Sequence, residues 1–185
     1  MKINSISLIS AVALIAGATN ANAGAIADFY VGGMVGAGGQ TLFADNETKT
    51  KSAMLFGAVA GVDIPLVRIE AEYSYLNSSD LNTNAGMVNV FFKLPSTIVK
   101  PYIGAGAGMI FGGEHEYAPN TKQDLDSVVA YQAMLGATID LPVMPFKFDI
   151  EGHALYAPDI YKIAGSNTTP DLLQYDVRLK IRFVF

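Results

Sequence analysis

Cysteine is absent from this sequence of 185 residues. The fold therefore cannot depend on disulfide bonds or on metal sites built from thiolates. Positive charge is also scarce, because 12 Lys and Arg residues stand against 17 Asp and Glu residues, which gives a formal net charge of −5. This balance argues against nucleic acid as a partner.

Long apolar runs are missing as well. A transmembrane helix needs roughly 20 apolar residues, and no segment after residue 23 provides such a run. Nevertheless, 51% of the residues are hydrophobic, which is a high share for a soluble domain. The hydrophobic residues must therefore be distributed over many short segments, in a chain whose length suits one domain.

Residues 1–23 have the order of a secretory signal peptide. Lys2 lies near the start, an apolar stretch covers 6–18, and Ala21-Asn22-Ala23 forms a cleavage site. The alternative, an anchor helix, is disfavoured because the stretch is short and contains two serines. We predict removal of 1–23 and a mature domain of residues 24–185. Since Lys2 is the only charged residue of the leader, the mature chain carries a net charge of −6.

The mature part alternates apolar and polar residues with a period of two, which is typical of β-strands with one apolar face. The pattern is clearest over 173–185 and recurs over 67–75 and 146–156, where only Leu155 breaks it. Weaker versions bring the number of predicted strands to eight, each long enough to cross a bilayer at a tilt. These weaker segments are 28–39, 53–63, 86–94, 101–111 and 127–140.

The predicted connections alternate in length. Three are tight turns, at 63–65, around 94–96 and at 141–145. Four are longer and rich in Asn, Asp, Thr, Ser and Gly, and we expect them to form loops: 40–52, 77–85, 112–126 and 157–172. Short periplasmic turns and long extracellular loops are typical of outer-membrane barrels.

Alternation alone does not distinguish a membrane barrel from a soluble barrel, because both have one apolar and one polar face. The positions of the glycines do distinguish them. Gly104, Gly106 and Gly108 alternate with apolar residues such as Ile103 and Met109. Small residues and long charged ones fit together inside a narrow barrel, whereas large aromatic side chains fit against lipid. We predict an all-β fold, an eight-stranded antiparallel up-and-down transmembrane β-barrel preceded by a cleavable signal peptide.

Twelve charged residues, six of each sign, are then expected to face the lumen. Buried charges persist only when they are paired and hydrogen-bonded, so we predict an ion-pair network that plugs the barrel. An ion pathway or a small-solute pore is the alternative. The network comprises Arg68, Glu70, Glu72, Asp149, Glu151, Arg178, Lys180 and Arg182, and the remaining inward charges are Lys93, Asp140, Lys147 and Asp176.

The final strand resembles the carboxy-terminal β-signal that the barrel-assembly machinery recognises in outer-membrane proteins. This resemblance implies that machinery as a partner during biogenesis. An ordinary amphipathic strand that ends at Phe is the alternative. The residues that carry the resemblance are Tyr175, Val177, Leu179, Ile181, Phe183 and Phe185.

The mature chain also resembles the small eight-stranded outer-membrane superfamily of the opacity proteins and the OmpA transmembrane domain. The residues that carry this likeness are Phe29-Tyr30-Val31-Gly32-Gly33, the segment from Pro101 to Gly108 and the terminal Phe185. The resemblance implies a location in the Gram-negative outer membrane after export to the periplasm, contact with outer-membrane lipid, and a structural or adhesin role. Ligands on host or neighbouring cells are the expected partners.

Ile160, Tyr161 and Ile163 lie in the last predicted loop, where exposed apolar residues can anchor a ligand. The alternative is that they extend the aromatic girdle toward which Tyr156 points. We expect no catalytic residue, cofactor or metal. His153 is the one inward residue suited to act as a base, so a lipid-modifying enzyme of the lipid A acylation or deacylation type is the alternative function.

Overall fold

The computed structural model describes residues 27–44, 47–78, 81–96, 98–118, 121–124, 127–141, 144–158, 160 and 171–185. The predicted signal peptide lies outside the described residues. Nine strands are present in the described part of the chain. They are β1 (Asp28–Ala44), β2 (Glu47–Asp63), β3 (Val67–Ser78), β4 (Leu81–Lys93), β5 (Val99–Ala118), β6 (Thr121–Asp124), β7 (Val128–Asp140), β8 (Phe146–Ala157) and β9 (Asp171–Val184).

The strands close into an antiparallel barrel. Each of β1 to β4 pairs with the next strand along the chain. The wall then continues from β5 to β7, β8 and β9, and β9 pairs with β1. Closure leaves no strand edge unpaired in the barrel wall. β6 pairs only with β5 and extends a hairpin beyond the wall. The predicted eight-stranded up-and-down barrel is confirmed.

Three of the four predicted loops are shorter than expected, whereas most of the fourth, 157–172, lies outside the described residues. β1 continues to Ala44 before β2 begins at Glu47, β3 ends at Ser78 before β4 begins at Leu81, and β5 runs to Ala118. The predictions of loops at 40–52, 77–85 and 112–126 are therefore wrong for most of their residues. Beyond the bilayer both faces of a strand meet water, so polar residues occupy both faces and the period of two disappears.

The outer surface of the barrel is apolar and its interior is charged. Adjacent residues of β9 illustrate this, because Val177 is 61% exposed whereas Arg178 is fully buried. Such an inverted barrel suits a lipid environment. Among the residues that the structure describes, no helix is long and apolar enough to cross a membrane.

The two ends of the barrel differ. The short turns that join β2 to β3, β4 to β5 and β7 to β8 lie at one end, which we call the short-turn end. At the other end, the hairpin end, inward-facing apolar residues pack together inside the lumen. We call this cluster the apolar cap; it consists of Ala85, Met87, Ile110, Ala130, Leu155, Ala157, Ile160 and Leu172. The exception at Leu155 in the sequence pattern is thus an inward residue of this cap.

Candidate functional site

The lumen gathers all eight residues of the predicted network. Each of them projects inward from its strand because it shares the parity of the buried positions, and none exceeds 4% exposure. They fall into three layers between the apolar cap and the short-turn end. Each layer contains an Arg or Lys of β9 that reaches across to carboxylates on other strands.

The layer nearest the apolar cap is centred on Arg178. Its Nη1 donates to Glu72 Oε1 at 2.6 Å, and its Nε donates to Asp176 Oδ1 at 2.5 Å. Asn89 Nδ2 donates to the second oxygen of Glu72 at 2.9 Å. Both carboxylates therefore have partners although neither is exposed to solvent.

His153 belongs to the same layer. Its Nε2 lies 2.7 Å from Gln132 Oε1, and its Nδ1 lies 3.1 Å from Asp176 Oδ2 and 2.9 Å from Arg178 Nη2. The side chain is buried. The one residue that the sequence suggested as a base is thus enclosed by the network and has no face toward the lipid.

The middle layer is centred on Lys180. Its ammonium lies 3.0 Å from Glu70 Oε1 and 3.1 Å from Glu151 Oε1. The Tyr30 hydroxyl donates to Glu70 at 2.7 Å, and the Tyr102 hydroxyl donates to Glu151 at 3.0 Å. Each carboxylate therefore combines an ion pair with a neutral hydrogen bond.

The third layer joins Arg68, Asp149 and Arg182. Arg182 binds Asp149 through two hydrogen bonds, Nε to Oδ2 at 2.6 Å and Nη2 to Oδ1 at 2.9 Å, a bidentate geometry. Arg68 Nη1 lies 3.4 Å from Asp149 Oδ1. The Arg68 guanidinium also lies 4.0 Å from the Phe91 ring centroid and 4.6 Å from that of Tyr102, distances at which a cation–π interaction is favourable.

A cavity of about 150 Å³ opens at the short-turn end. We call it the vestibule. Lys93 pairs with Asp63, and Lys100 Nζ lies 2.6 Å from Asp140 Oδ2. The floor includes Thr138, whose hydroxyl donates to Asp149 and accepts from Arg182. The charged residues of its lining are Asp28, Asp63, Lys93, Lys100, Asp140 and Lys147.

Several of these contacts were missed by the sequence analysis. The sequence assigns Asp63 to a tight turn and yields no prediction for Lys100, but both line the vestibule. Tyr30 and Tyr102 were missed because aromatics were expected to face lipid. Parity was the available signal, since Tyr30 has the same parity as Gly32 and Tyr102 has that of Gly104.

Glycine explains how the tyrosines fit inside. A Cβ on Gly61 would lie 2.6 Å from the Tyr30 hydroxyl oxygen, and a Cβ on Gly136 would lie 2.6 Å from that of Tyr102. Both distances are too short for a real contact. Glycine on one strand therefore provides the space that a large inward side chain of another strand occupies.

The six residues of the predicted assembly signal all face outward and are exposed: Tyr175, Val177, Leu179, Ile181, Phe183 and Phe185. The Phe183 ring packs against Phe146 with centroids 5.4 Å apart, and against Phe185 at 6.3 Å. These rings form part of an aromatic girdle near the short-turn end. Recognition by the assembly machinery stays a prediction.

Of the three predicted ligand-contact residues, the structure describes only Ile160. Ile160 is only 3% exposed and packs in the apolar cap, so the prediction that it is exposed is wrong. An apolar residue in a loop is stabilised more by packing in the apolar cap than by facing water. Tyr161 and Ile163 lie outside the described residues.

Comparison with known proteins identifies structures but no sequences. No family model matches the chain, and no curated protein matches it. Neisserial surface protein A has a TM-score of 0.64 at 15% identity, over 85% of this chain and 97% of that one. The N-terminal β-barrel domain of OprF from Pseudomonas aeruginosa has a TM-score of 0.52 at 11% identity, over 82% and 97%.

The attachment invasion locus protein Ail of Yersinia pestis has a TM-score of 0.50 at 11% identity, over 84% of this chain and 99% of that one. The three matches cover nearly the full length of the solved barrels, so the shared fold extends around the whole wall. The chain therefore has the fold of the small eight-stranded outer-membrane β-barrels.

Proposed function

We propose that the protein is a non-enzymatic surface protein of the bacterial outer membrane. In this proposal a plugged barrel holds the hairpin end outside the cell, where it contacts ligands on host or neighbouring cells. The ion pairs that cross the lumen are the observation that supports the proposal most strongly.

These ion pairs connect opposite walls. Arg68 on β3 pairs with Asp149 on β8, four strands away around the eight-stranded wall. Arg178 on β9 reaches Glu72 on β3. An eight-stranded barrel is just wide enough for its side chains to fill the interior. A filled lumen leaves the extracellular surface as the place for interactions and disfavours the pore alternative.

The hairpin end offers that surface. β5 pairs with β7 only as far as Ile110 but continues to Ala118, so it extends past that neighbour by eight residues, or about 27 Å. Glu47–Ser52 of β2 pairs with β1, whereas the pairing of β2 with β3 starts at Ala53. In outer-membrane barrels the longer connections face outward.

The charge of the hairpin end indicates which ligands suit it. The described chain segments at this end contain five acidic residues and three lysines. Ail was solved in complex with a heparin analogue, sucrose octasulfate, but an acidic surface repels such a polyanion, so we expect cationic or neutral ligands here. The acidic residues are Glu47, Glu114, Glu116, Asp124 and Asp171, and the lysines are Lys49, Lys51 and Lys122.

An enzyme that modifies lipid A is the alternative within the same fold. Its catalytic groups would have to reach lipid, whereas His153 is buried in the lumen against Asp176 and Gln132. This placement supports the non-enzymatic proposal. Mass spectrometry of lipid A from a deletion strain and its parent separates the two functions, and a reproducible difference in acyl chains would favour the enzyme.

Adhesion of intact bacteria to cultured host cells and to one another tests the ligand-contact proposal. Replacing residues 114–124 with a short Gly-Ser turn should reduce adhesion, because it removes the β5–β6 hairpin. Leu94→Ser, at the short-turn end, should leave adhesion unchanged. Equal adhesion by the parent strain, the hairpin variant and the deletion strain would contradict an adhesin role.

A further inference from the structure

The ion pairs around the vestibule are of two kinds. Asp63 is tightly held, because it pairs with Lys93 and its Oδ2 lies 3.3 Å from Arg182 Nη1, and all three side chains are largely buried. Lys147 is loosely held. Its Nζ lies 3.4 Å from Asp28, 3.7 Å from Asp63 and 3.8 Å from Asp140, so only the contact with Asp28 is within hydrogen-bond distance.

The accessible charges of the vestibule alternate in sign. In the order of the wall, Lys100 is on β5, Asp140 on β7, Lys147 on β8 and Asp28 on β1, which follows after β9. Their side chains are 32%, 20%, 13% and 52% exposed, respectively. Lys100 and Asp140 pair with each other at 2.6 Å, yet all four side chains keep a solvent-exposed part. A molecule that enters from the short-turn end can therefore reach two ammonium groups and two carboxylates.

The size and floor of the vestibule limit what can bind. Drug-sized ligands occupy pockets of about 300–1,000 Å³, so a cavity of about 150 Å³ accepts only a smaller molecule. The Thr138 hydroxyl at the floor is engaged by Asp149 and Arg182. The vestibule therefore ends at the ion-pair network, and a bound molecule leaves by the opening through which it entered.

We propose that the vestibule is a binding site for a small zwitterion that carries one carboxylate and one ammonium, as a free amino acid does. The ligand carboxylate binds Lys100 and Lys147, and its ammonium binds Asp28 and Asp140. Lys100 now pairs with Asp140 and Lys147 with Asp28. A ligand with a single charge would draw one half of this set away from its present partners and leave the other half uncompensated, whereas a zwitterion supplies a new partner to both halves. The site faces the periplasm and is independent of the surface function proposed above.

Titration of the isotope-labelled mature protein in lipid nanodiscs, followed by NMR, tests this proposal. The probes are L-alanine, propionate and ethylammonium, which carry both charges, the negative charge and the positive charge, respectively. We expect L-alanine to shift the amide resonances of Lys100, Asp140 and Lys147 saturably, with each single-charge probe binding at least tenfold more weakly. Absence of saturable shifts with L-alanine, or equal binding of propionate or ethylammonium, would overturn the proposal.

Two variants locate the site. Lys147→Gln and Asp28→Asn should each weaken L-alanine binding at least tenfold, whereas Lys122→Gln on β6, at the hairpin end, should leave it unchanged. Asp28 is the most exposed of the four groups, so its substitution keeps the test decisive if Lys147→Gln fails to fold. Unchanged binding in the folded variants would assign the shifts to another part of the protein and contradict the proposal.

Discussion

The lumen is filled by different chemistry at its two ends. At the hairpin end the apolar cap packs Leu155, Ile160 and their neighbours together. Toward the short-turn end the lumen is filled by Arg, Lys, Asp and Glu side chains that pair across the barrel. Packing tolerates small changes of shape, whereas ion pairing fails as soon as one partner is removed. The two ends should therefore respond differently to substitution.

Loss of a central cation should have the largest effect. Arg178→Ala removes the guanidinium that pairs with Glu72 and Asp176, and leaves both carboxylates buried. We expect the free energy of unfolding in lipid vesicles to fall by about 3–5 kcal/mol, the usual cost of breaking a buried ion pair. Urea titration monitored by circular dichroism measures it. Lys51→Ala, an exposed control, should change it by less than about 0.5 kcal/mol, and a similar small change for Arg178→Ala would refute buried pairing.

The apolar cap should respond to lost volume instead. Leu155→Ala creates a cavity beside Ala157 and Ile160, at an expected cost of about 2–5 kcal/mol in the same titration. Leu155→Met keeps the volume and should cost less than about 1.5 kcal/mol. Equal losses for the two variants would show that this end depends on something other than packing.

Val177 tests the lipid-facing surface of the barrel, in contrast to Arg178, which tests the lumen. Val177 is the next residue along β9 and faces outward. Val177→Arg should destabilise the protein by about 2–4 kcal/mol if the residue lies near the bilayer midplane, because a lipid-facing charge loses its hydration. Val177→Leu should be nearly neutral. An unaffected Val177→Arg variant together with a destabilised Arg178→Leu variant would mean that lipid contacts are not what stabilises this face.

Phe185 should have the smallest effect on the finished barrel. It is 39% exposed at the short-turn end, where its ring packs against Phe183 at the edge of the girdle. Deleting it should leave export of the precursor normal while the amount of folded protein in the outer membrane falls. Immunoblots of heat-modified and unmodified protein measure both quantities. Normal levels of folded protein would argue against an assembly signal in this strand.

The wall of the barrel was predictable from the sequence, whereas its rims were not. Residues such as Val177 and Arg178 reveal the two faces because one meets lipid and the other meets the lumen. Outside the bilayer this contrast ends. The segment of β5 that continues to Ala118 therefore shows no regular alternation of apolar and polar residues. Which residue belongs to the lumen was predictable from parity, but which carboxylate pairs with which cation depends on the barrel's register and cross-section.

The sequence also did not reveal that Tyr30 and Tyr102 lie in the lumen. Their size suggested a lipid-facing position, and the space for them comes from Gly61 and Gly136 on other strands. Ile160 posed the opposite problem, because an apolar residue in a polar segment suggested exposure although the apolar cap buries it. In each case the deciding neighbour is distant in sequence, so local pattern could not identify it.

Conductance of the purified mature protein in planar lipid bilayers tests the central claim most directly. The ion-pair layers and the apolar cap together should leave no continuous water path through the lumen. We therefore predict no steady porin-like conductance from the unmodified protein. A large, stable conductance would contradict the account and would make transport the leading function.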